Sequence, residues 1–192
     1  MSQSFLVSDA DPPAKRAILK AALAMFATRG VDSVSIREIA ASAGFTNPAM
    51  FRHFRSKEDL ASSLFETCYR RLTSVEALGG DLPLAERLKL WLVEIETAPE
   101  AVHFVLENLR RYWRGLPKSL RSASLLATMR RLIEAEQQAG HVRKDVDAQV
   151  AAALVLGLLG QIARMAHFNE LPSPPSEMAA TLWDLLERGL GE

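Results

Sequence analysis

Residues 35–60 read SIREIAASAGFTNPAMFRHFRSKEDL, and the spacing of caps, glycine and apolar side chains in this stretch decides the fold. Ser35 stands three residues before Glu38, the spacing of a capping box, so a helix starts here with Ile36, Ile39 and Ala40 on its buried side. Ala43-Gly44 breaks that helix, and Thr46-Asn47-Pro48 restarts one with a hydroxyl cap and a proline in the first turn. Ser56 to Asp59 repeats the capping-box spacing and opens a longer helix carrying Leu60, Leu64, Phe65, Cys68 and Leu72. Two short helices thus meet at a glycine turn. Ala40 is small enough for close approach, Gly44 can take positive φ, and Ile39 with Met50 and Phe54 fill the space between them.

Upstream, Asp11-Pro12-Pro13 reads as an N-cap followed by proline in the first turn. Ile18, Ala21, Ala22, Met25 and Phe26 give that helix one apolar face, and Gly30 ends it. Downstream of Gly79-Gly80, helices are expected near 82–97, 99–112, 118–138, 145–168 and 174–189. No segment alternates with β-branched enrichment, so the chain is expected to be all-α, with about nine helices.

The stretch from Ile18 to Leu72 resembles the DNA-binding domain of the TetR family of transcriptional regulators. Ile39-Ala40, Ala43-Gly44, the aromatic-x-His-Phe run from Phe51 to Phe54, and Ser56-Lys57-Glu58 carry the likeness. The resemblance implies a helix-turn-helix DNA-binding domain over residues 1–55 and a helical ligand-binding and dimerisation domain over 56–192. It implies a homodimer, a repressor of a near-palindromic operator, released by a small organic effector; the single cysteine and the lack of a signal-peptide pattern make the cytoplasm the expected location. The recognition helix would be about Asn47 to Phe54.

Candidate contacts to DNA are Ser35, Arg37, Thr46, Asn47, Pro48, Ala49, Phe51, Arg52, His53 and Lys57. Thr46, Asn47, Arg52 and His53 bring donors to that segment, Ser35 and Lys57 would clamp phosphate, and Arg37 could reach a phosphate or a guanine edge. Two positions depart from the family pattern. Phe51 stands where tyrosine is common, which removes a hydroxyl contact to phosphate, and Pro48 removes one base-reading side chain. Taken singly, Ser35 and Thr46 would also cap helices in any helical protein.

The rest of the chain is read from composition and patterning. Twenty-three basic residues balance 23 acidic ones, so net charge argues for no particular partner. Residues 1–72 carry 10 basic against 7 acidic side chains, which leaves the DNA-binding end weakly positive. A single cysteine, Cys68, excludes an intramolecular disulfide framework and a CxxC redox pair. It falls on an apolar face, where a thiol is buried and inert. The longest apolar run, Val150 to Gly160, is shorter than the roughly 20 residues that span a bilayer, and no signal-peptide pattern opens the chain, so no membrane partner is expected.

That same run is apolar all round and needs cover on two faces. A second subunit covers one of them, with Leu154, Leu158, Gln161, Met165, Leu182 and Leu186 as candidate dimer contacts. Trp91, His103, Phe104, Glu107, Trp113 and Met129 are candidates to line an effector pocket, the role the family gives this middle region. No catalytic or metal residues and no cofactor are expected. Glu100 and His103 have the Glu-x-x-His spacing of di-iron bundles, but no second copy follows. The competing reading is a helical small-molecule-binding or adaptor protein whose helix-turn-helix is only structural.

Overall fold

A computed structural model describes residues 12–78 and 82–190. The expected cap at Asp11 and the break at Gly79-Gly80 lie outside the described residues. Among the described residues ten α-helices run in order: α1 Pro13–Arg29, α2 Ile36–Ser42, α3 Asn47–Met50, α4 Lys57–Leu78, α5 Leu84–Thr97, α6 Pro99–Tyr112, α7 Lys118–Ser122, α8 Leu125–Ala139, α9 Ala148–His167 and α10 Ala179–Leu190. Single 3-10 turns occupy Trp113–Gly115 and Pro175–Met178, and no strand occurs among the described residues. The chain is all-α, as its periodicity requires.

Three expectations need adjustment. The helix expected over 118–138 is two, because Ser124 takes an extended conformation and its hydroxyl accepts from the Ala127 amide at 3.1 Å, capping α8 afresh. The recognition helix expected to reach Phe54 is α-helical only to Met50. Its turn continues through the bonds Phe51 N to Asn47 O at 3.1 Å and Phe54 N to Met50 O at 3.2 Å. In α1 the buried stripe is Ile18, Leu19, Ala22, Leu23, Phe26 and Ala27, whereas Ala21 and Met25 are only half-buried.

The chain packs as two compact units. The first comprises residues 1–71 and 100–116. Its core joins Ile18 and Phe26 of α1, Ile39 of α2, Met50 of α3, Leu60 and Phe65 of α4, and Phe104 of α6, all essentially inaccessible. Phe26 stacks on Phe104 with ring centres 6.1 Å apart, and Phe65 lies 5.9 Å from Tyr69 and 5.5 Å from Tyr112. Each buried phenyl ring contributes about 1.5–3 kcal/mol by leaving water. These rings therefore fasten α6 to α1 and α4, the helices on either side of the helix-turn-helix, although α6 is distant from both in the chain.

The second unit comprises residues 72–99 and 117–192. Here α9 packs along α8 and against α5, and α5 also meets α10. Ala151, Ala152, Val155, Leu159, Ile162 and Ala163 form the inner face of α9. The helix is 20 residues long, so the apolar run inside it belongs to a segment that could cross a bilayer by length and composition alone. Asp147 caps it by accepting from the Gln149 and Val150 amides at 2.8 and 3.1 Å. The Leu84 amide at the start of α5 donates to Glu136 Oε1 of α8 at 3.0 Å, tying those two helices together.

Candidate nucleic-acid interface

The helix-turn-helix is built from local contacts. Ser35 Oγ accepts from the Glu38 amide at 3.2 Å, and Glu38 Oε2 accepts from the Ser35 amide at 2.8 Å and from its hydroxyl at 2.6 Å. The expected capping box is thus complete. These two bonds from Ser35, with Arg29 Nη1 2.8 Å away, hold the Glu38 carboxyl down to about 2. The turn after α2 is a Schellman motif: Phe45 N donates to Ala40 O at 2.8 Å and Gly44 N to Ala41 O at 3.2 Å. That pattern requires a left-handed residue at Gly44, where φ is +77°.

Beyond the turn, Thr46 sits at the N-cap of α3 with extended backbone, but its hydroxyl makes no capping bond. It is therefore free to point outward. Met50 and Phe54 are buried, which orients the remaining side chains of the segment toward solvent. Thr46, Pro48 and Arg52 are exposed, Asn47, Ala49 and His53 half-buried, and Phe51 keeps 50% of its surface accessible. Arg37 is exposed on the first turn of α2. Among the described residues no hydrogen bond or ion pair engages the side chains of Arg37, Asn47, Arg52 or His53. A row of unsatisfied donors with an apolar ring between them suits a major groove, where donors meet base edges and phosphates and an apolar group meets a thymine methyl.

Two expected phosphate clamps are already occupied. The Ser35 hydroxyl proton goes to Glu38. Lys57 Nζ donates to the carbonyls of Asp32 at 3.2 Å and Val34 at 3.0 Å, holding the segment that precedes α2. The second capping box differs in detail. Asp59 N donates to Ser56 Oγ at 3.1 Å, but the Asp59 carboxylate accepts from the Arg55 amide at 2.9 Å instead of from Ser56.

The candidate pocket residues divide between the units. His103, Phe104, Glu107 and Trp113 belong to the first, and Trp91 and Met129 to the second. Phe104 is spent on its stack with Phe26, Glu107 is exposed, and Trp113 sets one edge against Tyr69 at 5.7 Å. Met129 and Trp91 are buried. Of the candidate dimer residues, Leu154 is 55% exposed, Gln161 exposed, and Leu158 and Met165 half-buried. Leu182 and Leu186 are instead buried within their own unit, while Leu185 between them is 62% exposed. Cys68 is fully buried, and burial pushes its thiol well above the ordinary range.

Sequence reasoning passed over Asp32, Glu58 and Arg111. Arg111 binds both carboxylates at once, and separations of 79 and 53 residues leave no local signal for either contact.

Residues 18–64 match the family model described as "Bacterial regulatory proteins, tetR family". Over 184 residues the chain is 31% identical to the HTH-type transcriptional repressor Rv1474c of Mycobacterium tuberculosis, covering 92% of each protein. Among solved structures it superposes on the ketosteroid transcriptional regulator KstR2 of Mycobacterium tuberculosis with a TM-score of 0.79 at 18% identity, over 97% of this chain and 99% of that one. It superposes on the fatty acid degradation regulator FadR of Bacillus halodurans with a TM-score of 0.72 at 17% identity, over 93% and 96%. With a repressor related along nearly its whole length and a complete helix-turn-helix in place, the chain belongs to the TetR family and is a DNA-binding transcriptional regulator.

Proposed function

We propose that the protein is a cytoplasmic homodimeric repressor that reads a near-palindromic operator with Thr46, Asn47, Phe51 and Arg52, and is released by a small apolar effector. The functional division falls at residue 55/56, with DNA reading before it and effector binding and dimerisation after it. The observation that carries this reading is the outward row of unpartnered donors around α3, above a helix pair whose inner face is fully buried.

Exposed Val150 and Leu154 on α9 and Leu185 on α10 support a twofold partner, because apolar patches of this kind are unusual on soluble monomers. From α10, exposed Leu185 replaces buried Leu182 and Leu186 as the proposed contact. A twofold dimer reads half-sites about 34–36 Å apart, so an effector acts by favouring a dimer state in which that separation no longer fits. The names of two structural relatives, a ketosteroid regulator and a fatty acid degradation regulator, support an effector that is a largely apolar organic molecule. Trp113, partly exposed, is the best placed of the pocket residues to meet it. The protein acts by binding and not by catalysis.

The test is selection from a random duplex pool by the full-length protein at two salt concentrations, followed by sequencing. An enriched palindrome supports the reading. Weak, salt-insensitive binding without enrichment supports a helix-turn-helix that is only structural.

A further inference from the structure

We infer that Arg111, at the end of α6 and far outside the helix-turn-helix in sequence, is a positioning residue for DNA binding that fixes the segment leading into α2. This rests on the DNA-binding reading of α2 and α3. Arg111 Nη1 donates to both oxygens of Asp32, at 2.9 and 3.1 Å. Its Nε and Nη2 donate to Glu58 Oε1 and Oε2 at 3.2 and 2.9 Å. One planar guanidinium thus joins the loop after α1 to the first turn of α4 by meeting both oxygens of each carboxylate, four bonds that the three donors of an ammonium cannot reproduce.

The same loop is held a second time. Lys57 Nζ takes the carbonyls of Asp32 and Val34, so α6 grips the Asp32 side chain while α4 grips the backbone beside it. Val31 and Val34 are buried at either end of the grip. The next residue is Ser35, the cap of α2, and α2 carries Arg37 and passes through the Gly44 turn into α3. Any freedom at residues 32–34 is therefore delivered to the reading segment.

The far end of the clamp adjoins the core. The Arg111 guanidinium carbon lies 5.5 Å from the centre of the Tyr112 ring, and Tyr112 is buried against Phe65 of α4. Arg111 accordingly acts from a fixed base, with no contact of its own to DNA. A clamp exposed to water is weak per bond, so its role is to set geometry and not to hold the fold together.

The experiment compares the full-length wild type with Arg111→Lys and Arg111→Gln, using a selected operator duplex and fluorescence anisotropy across a salt series. Arg111→Lys preserves net charge but cannot meet both oxygens of both carboxylates. It should bind about three- to tenfold more weakly to every sequence, with an unchanged slope of log affinity against log salt. Hydrogen exchange of residues 31–38 should quicken in this variant while the middle of α4 is unaffected. Arg111→Gln should be at least as weak, also without a change in slope.

Wild-type affinity and wild-type exchange in Arg111→Lys would overturn the inference. So would a slope shallower by about one in Arg111→Gln, which would make Arg111 a phosphate contact. A wild-type chain that enriches no duplex would overturn the DNA-binding reading instead, and the exchange rates at 31–38 would then still decide whether the clamp orders the loop.

Discussion

Replacing Gly44 by alanine tests the turn that joins the two reading helices. At φ +77° an L-residue pays about 1–2 kcal/mol for the close approach of its Cβ to the neighbouring carbonyl. Beyond its immediate chain neighbours a Cβ at Gly44 would meet no atom within 4 Å, so no clash with the surroundings adds to that cost. Alanine also narrows the unfolded ensemble, which returns about 0.4–1 kcal/mol. The net loss is then between about 0 and 1.6 kcal/mol, with a midpoint of about 0.8, and about 2–4 °C in Tm for each kcal/mol in a chain of this size.

Asparagine, which tolerates the left-handed region better, should fall between glycine and alanine. Thermal melting of the three full-length proteins under one condition reads the order directly. Operator affinity should fall with stability, because a turn that relaxes its φ also swings α3 relative to α2. An alanine variant more stable than the wild type would show that Gly44 does not hold positive φ in solution, and the Schellman turn would be refuted with it.

Glu38 is held at about 2 by the Ser35 hydroxyl and amide and by Arg29, so its contribution to stability is complete above the ordinary carboxyl value near 4.5 and is lost as pH falls toward 2. Glu38→Gln should flatten that acid limb of the stability curve, measured by denaturant unfolding from pH 6 to 2; an unaltered limb would mean the carboxylate is not bonded. Leu154→Glu combined with Leu185→Glu should leave a folded monomer in analytical ultracentrifugation, whereas Leu182→Glu should unfold its unit, and an unchanged dimer in the double variant would move the interface elsewhere. Phe51→Ala should lower operator affinity about tenfold with little change in Tm, because half of the ring is already in water; a wild-type Kd would turn the ring away from the groove. A fragment of residues 1–55 should show no cooperative melting, since it lacks Phe65, Phe104 and Tyr112 of its own core; a sharp transition would show that α1 to α3 suffice.

What could be read in the sequence is what three or four neighbouring residues enforce. The Ser35–Glu38 box, the glycine turn and the Ser56 cap are written within one helical turn each, so their spacing alone located α2, α3 and α4. Side-chain partners at that range were legible too, and Met50, Phe54, Ile39 and Ala40 are buried as their periodicity demands. Ser124 failed as a signal only because the apolar pattern runs on across it. Facing was harder. Leu182, Leu185 and Leu186 all fit an apolar stripe, and only the packing of α10 on α5 decides that the middle one turns outward.

The contacts that fix the reading segment are of another kind. Lys57 is one of several basic residues near the helix-turn-helix, and its sequence gives no reason to separate a phosphate clamp from a staple on two carbonyls. Its partners at Asp32 and Val34 lie 25 and 23 residues away. Arg111 is further still, and it sits in a cation-rich stretch where any arginine reads as surface charge. Yet these two cations do for the loop what the local motifs cannot. A capping box fixes where α2 begins, and a Schellman turn fixes how it ends, but neither fixes the direction from which the chain arrives. That direction is set by Val31 and Val34 in the core and by two cations from α4 and α6 on the residues between them. The reading helices are therefore local in conformation and non-local in orientation, so a change at α6 can alter DNA affinity without touching a residue that faces DNA.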